Sequence, residues 1–162
     1  PQLAITQAIL EVAPVPVFAG VGGGITTGRR SIDIALQAEL MGAYGVVVNA
    51  PTANEVISKM SKRIDIPVIA TVVSEYDDYK GKLDAGAKIL NISGGPNTAN
   101  IVRKIRDEYG KELPIIATGG PTDESILETI EAGANSITYT PPSSAKIFAG
   151  VMDQYRQNQA NK

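Results

Sequence analysis

Three stretches of the 162-residue chain are versions of one phrase: VPVFAG at 15–20, IPVIAT at 66–71 and LPIIAT at 113–118. Each is followed by a second phrase that opens on a small-residue turn: MGAYGVVVNAP at 41–51, AGAKILNIS at 85–93 and AGANSITYTPP at 132–142. Pro16, Pro67 and Pro114 recur at spacings of 51 and 47 residues, and Gly42, Gly86 and Gly133 at 44 and 47. Repetition at a fixed period of this length is an architectural signal. The apolar runs Val15–Val21, Gly45–Asn49, Ile66–Val73, Ala87–Ile92, Leu113–Thr118 and Ser136–Thr140 are short, rich in Val and Ile, and bounded by Gly, Pro, Asn or Ser. Strands buried on both faces of a parallel sheet read this way.

Helical patterns separate these runs, at about 31–41, 53–63, 76–85, 97–109, 122–132 and 143–157, with one more at 2–12. Strands alternating with helices of this length imply parallel crossovers. Gly42, Gly86 and Gly133 fall just past helix ends, where a left-handed residue closes the helix. Three copies supply six strands. A fourth copy would give eight strands and about 210 residues, the size of a closed (β/α)₈ barrel. The expectation is therefore an α/β fold, a (β/α)₈ TIM barrel lacking its first two strands in this chain, with residues 1–162 as a single partial barrel domain. The helix at 2–12 fits the end of the absent copy, and a chain that opens on Pro1 rather than Met agrees with that. The alternative is a complete six-stranded sheet, doubly wound. Equal repeats favour the barrel, because all strands of a barrel share one environment.

Composition narrows the chemistry. There is no Cys, no His and no Trp. Nucleophile systems built on His or Cys are excluded, as are zinc sites made from those residues and redox thiols. The lack of cysteine fits a cytoplasmic protein. A net charge of −2 predicts no nucleic-acid partner and no attraction to anionic membranes. No apolar run approaches the roughly 20 residues that span a bilayer, and no charged-then-apolar leader is present. Catalysis must then rest on Asp, Glu, Lys, Arg, Tyr, Ser, Thr, backbone amides, an oxygen-ligated metal or a cofactor. The sequence requires no cofactor, and Mg²⁺ is the metal its donors admit.

In either architecture ligands bind at the C-terminal ends of the strands. That face carries Gly22 and Gly23 after the first strand, Asn49 after the second, Thr71, Glu75, Asp77 and Asp78 after the third, and Asn91 and Ser93 after the fourth. Thr118, Gly119 and Gly120 follow the fifth strand, and Thr140, Ser143 and Ser144 the sixth. Small polar residues with free amides suit an anion or a polyhydroxylated ligand, whereas the opposite face carries little beyond Gly-Ala turns. GVGGGITTG at 20–28 fails both the dinucleotide and the Walker pattern, since Arg29 stands where Lys would follow. It is flexible enough to act as a lid, and Arg29 and Arg30 could reach an anion. Gly119, Gly120, Ser143 and Ser144 would hold a phosphate if their loops are the last two of a barrel. Glu75 and Asp77 are candidate bases or Mg²⁺ ligands, with Asn91 as a further catalytic group. Each of these also has a plain role, as turn former, helix cap or complement to a helix dipole. No lysine stands within a strand or at its C-terminal end, which removes an imine-forming lysine.

Three segments resemble the pyruvate-dependent lyase family of dihydrodipicolinate synthase and N-acetylneuraminate lyase. PVFAGVGGGITTGRRSIDIALQAELMGAYGVVVNAP at 16–51 is similar to that family's third strand, helix and fourth strand. KILNISGG at 88–95 resembles its sixth strand, and GANSITYTPPSSAKIF at 133–148 its eighth. The resemblance implies a (β/α)₈ barrel. It places the family's Schiff-base lysine at Leu90 and its catalytic tyrosine near Thr71, so the imine chemistry is not implied. The Gly-Gly and Ser-Ser positions are equally similar to the phosphate-binding barrels of amino-acid and sugar-phosphate metabolism. The expected function is a small-molecule metabolic enzyme, aldolase-, lyase- or isomerase-like and without a lysine imine. It would act on a phosphorylated or carboxylated anionic metabolite, with homo-oligomerisation open. The alternative is a catalytically inactive metabolite-binding or regulatory barrel, or a subunit whose partner completes the barrel.

Overall fold

The computed structural model describes residues 2–140 and 142–160. The helices are α1 (Leu3–Val12), α2 (Gly28–Leu40), α3 (Asn54–Ser61), α4 (Tyr79–Asp84), α5 (Thr98–Tyr109), α6 (Asp123–Glu131) and α7 (Ser144–Ala160). The strands are β1 (Phe18–Gly22), β2 (Gly45–Val48), β3 (Val68–Val72), β4 (Ile89–Ile92), β5 (Ile115–Thr118) and β6 (Ser136–Thr138). Each expected strand and helix is present, and the boundaries move for physical reasons. Strand β1 begins two residues after Pro16, and β3 and β5 begin one residue after Pro67 and Pro114; none of these prolines has an N–H to give a ladder. The carbonyls of Pro67 and Pro114 still accept from Val46 and Leu90. Helix α2 starts at Gly28 rather than 31, which draws Arg29 and Arg30 into its first turn.

All six strands are parallel and their spatial order is their chain order, β1-β2-β3-β4-β5-β6. A doubly wound sheet reverses its strand order at a switch point. No reversal occurs, so the six-stranded doubly wound alternative is wrong. The sheet is singly wound and curled, six strands of a barrel wall with helices on the outside.

Strand alternation gives the sheet two unlike faces. Ala19, Val21, Val46, Val48, Ala70, Val72, Leu90, Ile92, Ile115 and Ala117 turn outward. They form one core with Ala35 and Ala38 of α2, Ile57 and Met60 of α3, and Ile101, Val102 and Ile105 of α5. The register lines Val47, Ile69 and Ile89 along the inner face. The next inner row is Thr71, Asn91, Ile116 and Ser136, and Thr118 pairs with Thr138 above it. The inside of the curl is thus apolar below and polar towards the C-terminal strand ends. Helix ends close on Gly42, Gly86 and Gly133, with φ of 96°, 109° and 106°. That region is costly for a residue with a Cβ. Among the described residues no helix is long and apolar enough to cross a membrane.

Candidate functional site

The polar rows meet at the centre of the inner face. Asn91 Nδ2 donates to Thr71 Oγ1 at 3.2 Å. Thr71 is buried and Asn91 partly so. One amide hydrogen of Asn91 and the hydroxyl hydrogen of Thr71 remain for an acceptor in the curl. Asn49, exposed, ends β2 beside a cavity of about 350 Å³ that Gly20, Val47 and Thr26 also line. Ser93 continues β4 and its amide donates to Val72. Thr118 lies on the same rim, whereas Thr140 is exposed beyond β6.

Gly22 and Gly23 are demanded by packing. The β1–β2 register shifts between Gly20 and Gly22, a bulge that turns Gly22 towards α2. A Cβ on Gly22 would collide with the Ser31 side chain. One on Gly23, whose φ is 95°, would lie 2.5 Å from Thr52 Oγ1 and 2.7 Å from Asn49 N. The loop is fastened by Gly23 N to Thr26 O at 3.0 Å and Asn49 N to Gly22 O at 2.9 Å.

The acidic candidates separate. Asp77 Oδ2 accepts from Val73 N at 2.7 Å and from Ser74 N at 3.2 Å, so its carboxylate closes its own loop. Asp78 caps α4 through Gly81 N at 2.9 Å and takes Asn54 Nδ2 at 2.8 Å. The Gly81 amide first, then the Asn54 amide, hold the Asp78 carboxyl below its ordinary 3.8. Glu75 is half-buried in the same loop, and its backbone carbonyl receives Lys104 Nζ at 3.0 Å. Among the described residues no three carboxylates converge as a metal cage.

Among the described residues no hydrogen bond joins Gly119 and Gly120 to Ser143 and Ser144, and the cavity beside the Gly-Gly loop is not lined by the serines. The Gly-Gly loop instead faces the β4–α5 connection across a cavity of about 400 Å³, lined by Gly95, Pro96 and Thr98. The capping box of α6 engages the Ser125 amide through Thr122 Oγ1 and the Thr122 amide through Ser125 Oγ. Ser143 caps α7 through Lys146 N at 3.2 Å, and both serines are exposed.

The position the resemblance gives to the lysine, Leu90, faces the helices and is wholly buried in the outer core. The inner positions of β4 are Ile89 and Asn91, so Leu90 does not mark the reactive face. The buried lysine lies elsewhere. Lys82 on α4 is 5% exposed, and its Nζ donates to Ala50 O at 2.8 Å and Thr52 O at 3.3 Å. Burial pulls its pKa down, while Asp77 and Asp78 pull it up. The clue in the sequence is spacing: Tyr79 and Lys82, three apart, share the inward side of a short helix.

No protein-family model matches the chain, and no curated protein matches it. Solved structures do. Phosphonopyruvate hydrolase superposes with a TM-score of 0.68 at 16% identity, over 98% of this chain and 66% of that one. A 2,3-dimethylmalate lyase of the PEP mutase/isocitrate lyase superfamily gives 0.68 at 16%, over 98% and 63%. A dihydrodipicolinate synthase from Bacillus anthracis gives 0.64 at 18%, over 85% and 51%. The chain spans about two thirds of the hydrolase and half of the synthase. Identities this low establish the fold alone, and the fold they establish is the α/β barrel wall.

Proposed function

We propose that this chain forms most of a lyase-like barrel enzyme that acts on a small carboxylated or phosphorylated metabolite at the inner rim. The observation that carries the reading is the Thr71–Asn91 pair. It sits at the C-terminal strand ends, inside the curl, above apolar rows. Donors held there by a rigid sheet are placed for an oxygen that gains charge when a proton is removed beside a carbonyl. Asn91 and Thr71 stabilise that oxygen. Glu75, in the loop after β3, is the base, because Asp77 is taken up by that loop. The structural neighbours named above are a hydrolase, a lyase and a synthase, and the hydrolase has been seen with oxalate and Mg²⁺. A Mg²⁺ ion would come to this chain with its substrate, held largely through substrate oxygens and water.

The test is turnover over a panel of 2-oxo acids and their phosphorylated forms. Asn91→Ala is expected to lower kcat/KM by about 10²–10³ while the thermal midpoint holds. Glu75→Gln should abolish turnover and spare binding. Full activity in Asn91→Ala would remove the rim from the mechanism. A second reading, an inactive metabolite-binding barrel, is favoured by the outward position of Leu90 and the lack of an inner lysine among the described residues. It requires ligand-induced stabilisation with no turnover on the whole panel.

A further inference from the structure

Lys82 is a buried cation that the reaction proposed above does not use. It is 5% exposed and makes no ion pair among the described residues. Taking an ammonium out of water is costly unless its surroundings replace the lost hydration. Here the replacement is two backbone carbonyls, Ala50 O at 2.8 Å and Thr52 O at 3.3 Å. Both belong to the turn that leaves β2, and that turn opens on Asn49. Asn49 N donates to Gly22 O at 2.9 Å, and Asn49 O accepts from Thr52 N at 3.1 Å. The backbone of Asn49 is thus fixed on both sides, and a buried charge fastens the residues that follow it.

Register places Asn49 on the working face. Val48 pairs with Ala70 and Thr71 with Asn91, so Asn49 follows β2 at the level of Thr71. Asn49, Thr71 and Asn91 form one inner row over three neighbouring strands. Asn91 donates to Thr71, whereas the exposed Asn49 side chain has no hydrogen-bond partner among the described residues. Asn49 and Val47 line the cavity of about 350 Å³, and Gly24 and Ile25 stand on the same wall. The amides of Gly24 and Ile25 have no acceptor among the described residues. Adjacent strands lie about 4.8 Å apart, a gap that two polar groups of one small molecule span. No charged side chain lines this cavity. Neutral donors suit the single charge of a carboxylate, whereas a phosphate monoester, with a charge near −2, draws Arg or Lys. Asp77 and Asp78, the carboxylates that act on Lys82, are engaged by their own donors.

We infer that Asn49 is a further substrate-binding residue of the rim, that it takes the carboxylate of the substrate, and that Lys82 is its positioning residue. The inference rests on the reading of the rim under the proposed function. Asn49 Nδ2 donates to one carboxylate oxygen, and the glycine-loop amides serve the other. Thr71 and Asn91 hold the neighbouring oxygen that gains charge. Lys82 touches neither group. It holds the carbonyls of Ala50 and Thr52, and through that turn the direction of the Asn49 amide.

The probe is pyruvate, titrated into the chain at constant ionic strength and followed by NMR of backbone and asparagine side-chain amides. Saturable shifts are expected at the side-chain amides of Asn49 and Asn91 and at the backbone amides of Gly24, Ile25 and Thr71. Asn49→Ala should weaken binding about ten-fold or more, and Asn49→Asp should weaken it further by repulsion. Lys82→Met should weaken binding in the parent and have no further effect in Asn49→Ala, since a residue that acts through another loses its effect with it. Should the methionine variant not fold, Lys82→Gln, which keeps a donor for one carbonyl, carries the same comparison. An equal loss in both backgrounds, or none in the parent, would overturn the positioning role. Pyruvate that shifts Thr71 and Asn91 but binds Asn49→Ala as tightly as the parent would overturn the inference and leave the rim reading standing. No shift at Thr71 or Asn91 would overturn the rim reading and the inference with it. Inorganic phosphate that displaces pyruvate as well as acetate does would overturn the assignment of a carboxylate.

Discussion

Asp77 and Asp78 are neighbours in sequence with separate duties, and pH distinguishes them. Asp78 ties the start of α4 to Asn54 on α3, and its carboxyl is held below 3.8 by the Gly81 and Asn54 hydrogen bonds. A carboxylate with a depressed folded pKa stabilises fully above its unfolded value. That contribution is lost as pH falls through the lower folded value. The Asn54 side-chain amide signals should therefore titrate with a midpoint below 3.8, and Asp78→Asn should abolish the titration. A midpoint at or above 3.8 would mean that the Asn54 contact does not favour the ionised form. Lys82 acts at the same scale: its two bonds hold the β2–α3 loop that carries Thr52.

Strand β4 shows how one residue of offset decides chemistry. Leu90 faces α5 and is fully buried, whereas Asn91 faces the curl. Leu90→Ala should cost about 2–5 kcal/mol. Leu90→Lys should cost at least as much, because an ammonium has no partner in the outer core. Asn91→Lys, with access to the open curl, should be tolerated better. Urea unfolding of the three variants checks this ordering, and a tolerated Leu90→Lys would reverse the assignment of faces. The same element logic explains Tyr79, whose Oη donates to Glu108 Oε2 at 2.8 Å while Lys80 pairs with the same carboxylate, binding α4 to α5.

At the scale of the molecule, the curl is open. Among the described residues β1 and β6 each pair on one side only. Phe18 on the inner face of β1 is 44% exposed, and α1 and α7 bury no residue. Exposed apolar positions remain on both helices, including Ile5, Val12, Phe148 and Val151. Unpaired edges beside apolar surface recruit another chain. The polypeptide of residues 1–162 is therefore expected to self-associate with rising concentration in sedimentation velocity. Phe18→Lys should reduce that association and change stability by no more than about 1 kcal/mol. A concentration-independent monomer would show that the open edges are not adhesive.

The repeated phrases around Pro16, Pro67 and Pro114, and the Gly-Ala turns, were enough to establish strands, helices and their parallel order. Those features are local: a proline removes a donor, a glycine closes a helix, and a Val-Ile run is buried on both faces wherever it occurs. The rim was legible in part, since Thr71 and Asn91 end inner rows of their strands in the sequence itself. Tertiary structure decided the rest. Whether the sheet reverses depends on which way each crossover packs, and periodicity is blind to that. The bulge at β1 gave Gly22 and Gly23 a packing role that spacing does not show, because their neighbours Ser31 and Thr52 come from other elements. The outward side of Leu90, the burial of Lys82 and the orphan hydroxyl of Thr52 follow from contacts between distant segments. Composition and spacing carry no record of these contacts, because they exist only once the elements are packed.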